Sequence, residues 1–71
     1  MSFDYSKLKG KIKEFYDTQE NFSKALGLGR TSISQRLNNH LEFSQEEIYK
    51  ACELLKLELK EIPEYFFKIN V

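Results

Sequence analysis

The sequence predicts an all-α domain of four helices and a short fifth. Three observations carry that expectation. Apolar residues recur at spacings of three and four rather than in alternation, the pattern of helices with one buried face. Residues 18–39, TQENFSKALGLGRTSISQRLNN, join two helical patterns through a glycine-bearing turn. Ser44 and Glu47 spell S-x-x-E ahead of a further apolar stripe, the signature of a capped helix N-terminus. No stretch reads as a strand, a repeat or a low-complexity linker.

Tyr5, Leu8, Ile12 and Phe15 are spaced by 3, 4 and 3 residues and form the inner stripe of a first helix over residues 4–17. Gly10 costs that helix about 1 kcal/mol relative to alanine, and a close crossing by another helix is one reason to keep it. Thr18 is a good N-cap for a second helix, with Glu20 near the positive end of its dipole. Phe22, Ala25 and Leu26 form the inner face, and Gly27 suits the left-handed residue that ends it. Leu28 points to the core, Gly29 opens a third helix without a strong cap, and Ile33 and Leu37 anchor it. After Asn38, Asn39 and His40 comes the capped fourth helix, with Ile48, Ala51, Cys52 and Leu55 inward. Leu57, Leu59 and Ile62 continue the apolar series, and Pro63 suits the first position of a short last helix ending in Tyr65, Phe66 and Phe67.

A chain of 71 residues is expected to form one domain over 1–71, burying only about 60% of its unfolded surface. The single cysteine, Cys52, excludes an intrachain disulfide and fits a reducing compartment. No apolar run approaches the roughly 20 residues that span a bilayer, and MSFDYSKLKGK lacks the apolar region of a signal peptide. A soluble, cytoplasmic protein is expected. The formal charge is zero, yet seven bases against four acids leave +3 before Leu41, and four bases against seven acids leave −3 from Leu41 onward.

Residues 18–39 meet the requirements of a DNA-reading helix-turn-helix. Such a unit needs a small residue at the helix crossing, a tight turn and apolar anchors behind the reader. Ser23, Gly27 and the trio Leu28, Ile33 and Leu37 supply them. Arg30, Thr31, Ser34 and Gln35 then lie outward with Ser32 close by, and Gln19 opens the preceding helix. Arg matches a guanine edge, Gln an adenine edge, and Gln19 suits a phosphate.

On these residues the chain resembles the Cro and CI repressor family of phage regulators, through Q-x-x-F-S-x-A-L-G-L-x-R-T-S-I-S-x-R-L-N-N. With FSQEEIYKACELLKLELKEIPEYFF downstream, the similarity spans nearly the whole chain and is closest to the modulator-of-repression antirepressor subgroup of temperate phages of Gram-positive bacteria. The resemblance implies a Cro/CI-like bundle. It places Arg30, Thr31 and Gln35 at base-reading positions and Gln19 and Asn38 at phosphate positions. Ser23 stands where the family usually has alanine, Arg36 where it is often apolar, and Asn39 where it is often glycine.

The same resemblance implies two functions. One is an antirepressor that binds the DNA-binding domain of a CI-type phage repressor in the bacterial host cytoplasm. The other is a Cro-like repressor that binds operator DNA itself. Overall neutrality favours a protein target, because phosphate neutralisation supplies much of DNA affinity. The expected partner surface runs from the reader helix, at Arg30, to the start of the fourth helix, at Glu42, Phe43, Glu46 and Glu47, with Tyr65 as a further aromatic contact. Phe43 and Tyr16 are expected to be partly exposed, and Tyr65, Phe66 and Phe67 cannot all face inward. Catalysis, metals and cofactors find no support. His40 is the only histidine, Cys52 lies on an apolar stripe, and the G-L-G turn lacks a P-loop lysine.

Overall fold

The computed structural model describes residues 2–70 and has the predicted architecture. Helices α1 (Ser6–Tyr16), α2 (Gln19–Leu26), α3 (Arg30–Leu37) and α4 (Gln45–Leu55) are followed by a 3-10 turn (Leu59–Glu61) and a short α5 (Ile62–Phe66). The two central helices pack on each other, α1 and α4 both pack against α2, and α5 closes across α1 and α4. The core is formed by Tyr5, Leu8, Ile12, Phe22, Leu26, Ile33, Leu37, Ile48, Ala51, Cys52, Leu55, Leu57, Tyr65 and Phe66, all buried.

The caps stand where the sequence puts them. Thr18 Oγ1 accepts from the Asn21 amide at 3.0 Å. Ser44 and Glu47 form the reciprocal capping box of α4. Gly27 ends α2 at φ 87°, the left-handed region that costs glycine nothing. Gly29 precedes α3 with no side-chain cap.

Three expectations are corrected. Phe15 is 37% exposed. Leu8, Ile12 and Tyr16 form the four-residue row that meets the body, and Tyr16 takes the inner place against Phe22, ring centroids 5.5 Å apart. Phe15 falls to the edge, under the Lys11 ammonium at 5.5 Å. Leu59 is also outside, on the outer side of the 3-10 turn while Leu57 is buried. No helix crosses at Gly10: a methyl group there meets nothing within 4 Å. The terminal segments also form an isolated antiparallel bridge, Phe3 to Ile69. The Asp4 amide donates to the Lys68 carbonyl at 2.7 Å. Asn39, at φ 64°, clamps this end by accepting from the Phe3 amide at 2.8 Å and donating to its carbonyl at 3.0 Å.

Several aromatic residues form a chain of ring contacts. Phe3 meets Tyr5 and Phe67 at 6.2 and 5.8 Å, Tyr5 meets Phe43 at 5.6 Å, and Phe43 meets Phe66 at 5.3 Å. This links the N-terminal segment, the loop before α4, and α5. Tyr65 and Phe66 are buried while Phe67 is half-exposed, in keeping with the expectation that the three cannot share a face.

Arg36 is the most enclosed charge on α3. Its Nε donates to Glu47 Oε1 at 2.9 Å, one terminal nitrogen donates to Glu47 Oε2 at 3.2 Å, and the other to the Ser32 carbonyl at 2.9 Å. Both side chains are largely covered, 15% and 17% exposed. Burial alone pushes the Glu47 carboxyl up. The bonds from Arg36 and from the Ser44 amide and hydroxyl outweigh it and hold the group below its ordinary 4.5.

Two stability predictions follow from these contacts. Gly10→Ala should stabilise the protein by about 0.5–1 kcal/mol in a denaturant titration, because it adds helix propensity without a clash. Glu47 has a depressed folded-state pKa, so its contribution is complete above the unfolded value and is lost as pH falls through the folded one. Between about pH 5 and about pH 3 the urea midpoint of the wild type should therefore fall more steeply than that of Glu47→Gln. Parallel slopes would count against this role.

Candidate nucleic-acid and partner interface

The reader helix is held from behind and left open in front. Ser23 is fully buried at the α2–α3 crossing, and its hydroxyl donates to the Glu20 carbonyl at 2.7 Å, so a polar side chain fits without an unpaired group. The Leu28 amide donates to the Ser23 carbonyl at 2.8 Å and fixes the turn after Gly27. Ile33 and Leu37 are buried behind the reader. The front face of α3 and the start of α2 form an open groove of 640 Å³. It is lined by Thr18, Gln19, Glu20, Arg30, Thr31, Ser34, Gln35, Asn38 and His40.

Six of the seven residues expected to meet DNA therefore line one groove: Gln19, Arg30, Thr31, Ser34, Gln35 and Asn38. Ser32 does not line it. It lies on the flank where its carbonyl receives Arg36. Thr18 and His40 join the groove, although the sequence marked them only as a cap and a loop residue. Their places beside Gln19 and Asn38 were the available signal.

The groove is polar but carries no excess positive charge. Its only ordinary charges are Arg30 and Glu20, with guanidinium and carboxylate 3.8 Å apart. Lys24, one turn along α2, also leans to Glu20, at 3.9 Å. Arg36, the second arginine of the reader helix, is turned away into its pair with Glu47. The exposed Arg30–Glu20 pair adds little to stability. It does cancel the charge that would attract phosphate.

The expected partner surface divides into exposed and internal parts. Arg30, Glu42 and Glu46 are exposed. Phe43 is half-buried as expected, but its ring packs between Tyr5 and Phe66. Glu47 is occupied by Arg36 and Ser44. Tyr65 is buried, with the Lys7 ammonium 5.4 Å above its ring, so the C-terminal aromatic open to a partner is Phe67. Sequence reasoning did not find an apolar groove formed by Gln45, Ile48, Tyr49, Leu59, Ile62 and Phe67. Its one sequence signal was Tyr49, an aromatic beside the inner stripe of α4 rather than on it.

No helix is long and apolar enough to cross a membrane among the described residues. Nor does any group of three or more His, Cys, Asp or Glu there have the placement to hold a metal ion. Cys52 is buried, and burial pushes its thiol above the ordinary value, away from the reactive thiolate.

None of the curated proteins matches the chain. Over residues 1–69 it matches the family described as protein of unknown function DUF739. It is also similar to the solution structure of the modulator of repression of the temperate bacteriophage TP901-1 from Lactococcus lactis. The two share 44% identity over 99% of this chain and 97% of that one, with a TM-score of 0.84. The chain thus belongs to the DUF739 family and is a phage protein of the modulator-of-repression type.

Proposed function

We propose that the protein is an antirepressor of a phage lysis–lysogeny switch. In this reading it binds the DNA-binding domain of the cognate CI-type repressor and keeps that domain off its operators. The observation that carries it is the reader groove: it has the shape and polar side chains of a DNA-reading surface, but its one arginine is offset by Glu20 and the other is withdrawn into the body. The similarity to a modulator of repression supports the same reading.

A repressor that reads DNA presents a basic face, and Glu42 and Glu46 stand exposed at the start of α4 to meet one. The contact surface then runs from Arg30 and the groove to these two acids. Phe43 supports the loop from beneath rather than serving as a detachable anchor. A Cro-like repressor that binds operators directly is the second reading. It is favoured by the single groove that gathers Gln19, Arg30, Thr31, Gln35 and Asn38.

A gel shift on operator DNA with this protein alone, repressor alone and both separates the two. The protein alone should bind no tighter than about 1 µM at physiological salt, and its addition should release the repressor. Nanomolar, sequence-specific binding by the isolated chain would make the Cro-like reading primary.

The acidic edge has its own test. Glu42→Lys combined with Glu46→Lys should slow association with the repressor domain by roughly tenfold at low salt, with the difference shrinking as salt rises. Both residues are exposed, and reversing Glu46 in the first turn of α4 should lower the melting temperature by only a few degrees. An unchanged association rate would place the contact elsewhere.

A further inference from the structure

The groove between α4 and the C-terminal segment has a volume of 370 Å³ and shares no residue with the reader groove. Three of its large apolar side chains are about half exposed: Tyr49 at 57%, Leu59 at 58% and Phe67 at 49%. A domain this small has few large apolar residues to spare, and here three that could have filled its core open onto one groove. Contiguous apolar exposure rimmed by polar residues is the character of an interaction surface. We propose that this groove is a second docking site, and that it takes a basic amphipathic helix of a protein partner.

Three features select that occupant. The first is shape. The wall formed by α4 has 11 residues, about 16 Å at 1.5 Å per residue, which suits two to three turns of a partner helix. A helix lying in a groove is held by a few anchors at spacings of three and four, and three exposed apolar side chains match that demand.

The second is charge. Glu46 and Glu53 lie one turn before and one turn after Tyr49 on α4, both exposed. Neither belongs to an ion pair among the described residues. The cations beside Leu59 and Phe67 are already engaged, Lys60 by Glu58 at 3.5 Å and Lys68 by Asp4 at 3.8 Å. Lys50 and Glu46 both line the α4 flank toward Leu26 and Leu28, so this cation offsets Glu46 and leaves Glu53 as the excess acid beside Tyr49, and Lys56 forms the helix C-cap. The chain from Leu41 onward carries −3.

The third feature argues against a second copy of this chain. A two-fold contact would set the acidic edge of α4 against itself. It would also rest on far fewer residues than the roughly 20–30 a side of a stable dimer.

The test is a nitrogen-15 NMR titration of the full chain with two synthetic helical peptides of roughly 14 residues, about four turns. One has a leucine stripe flanked by lysines, the other the same stripe flanked by glutamates. The leucine–lysine peptide should shift the amide signals of Gln45, Tyr49, Leu59 and Phe67, and bind at least about tenfold tighter than the leucine–glutamate peptide. Tyr49→Ala with Leu59→Ser should weaken it by a further factor of about ten while thermal unfolding stays cooperative. Glu46→Gln with Glu53→Gln should bring the two peptides closer together in affinity. Equal binding of both peptides, shifts confined to the reader groove, or concentration-dependent shifts of the groove residues without peptide would overturn the proposal. No repressor enters the titration, so its outcome is independent of the antirepressor reading.

Discussion

The pair between Arg36 and Glu47 connects the reader helix, the loop after it and the start of α4. Arg36 also holds the Ser32 carbonyl of its own helix, while Glu47 completes the cap of α4 with Ser44. Four hydrogen bonds therefore converge on two side chains, and they tie α3 to the start of α4. A partly buried pair of this kind gains little over an apolar equivalent, because desolvation consumes much of the attraction. Loss of one partner is costly, since it leaves the other charge half-buried and unpaired. The pair also has a functional consequence. It removes one of two arginines from the surface that a DNA reader would use.

What remains on that surface is an open polar groove that is nearly neutral. Phosphate contacts supply most of the sequence-independent affinity for DNA, and a groove with one offset arginine supplies few. The side chains that could discriminate bases are all present. In the proposed function, this polar but nearly neutral groove would meet a protein target that itself presents a basic DNA-reading face. No lysine of α1 lines the groove, and three of the four are paired elsewhere. Lys7 is bound to Glu64 of α5, Lys11 to Glu14 at 4.0 Å and Lys13 to Asp17 at 2.9 Å.

The aromatic content finds its explanation in size. A chain of 71 residues has a high surface-to-volume ratio, and large side chains close one end of this one. Tyr5, Phe43 and Phe66 do this by edge-on packing, which adds a favourable electrostatic term to burial, and Phe3 packs tilted on Tyr5. Asn39 secures the same end through the backbone of Phe3. Its left-handed backbone is tolerable for asparagine, and its side chain makes two bonds that glycine could not.

Local chemistry determined much of this protein directly. Thr18, Gly27, Ser44 with Glu47, and Pro63 act within one or two turns of chain, so their residue types alone placed the helix ends. The reader face was legible for a similar reason: Arg30, Thr31, Ser34 and Gln35 lie opposite Ile33 and Leu37 on one helix, and the helical period settles which side is outward. Only the tertiary structure could decide contacts between residues far apart in the chain. Sequence spacing put Phe15 on the inner stripe, and the place of Phe22 drew Tyr16 inward instead. Phe43 could pack or protrude, and the meeting of Tyr5 and Phe66 drew it in. Glu47 could meet a partner, and Arg36 claimed it. Tyr49, Leu59 and Phe67 come from three separate elements, and only packing of α4 against the C-terminal segment sets them around one groove. A helix repeats locally, whereas a surface is assembled from segments whose distance depends on the whole fold.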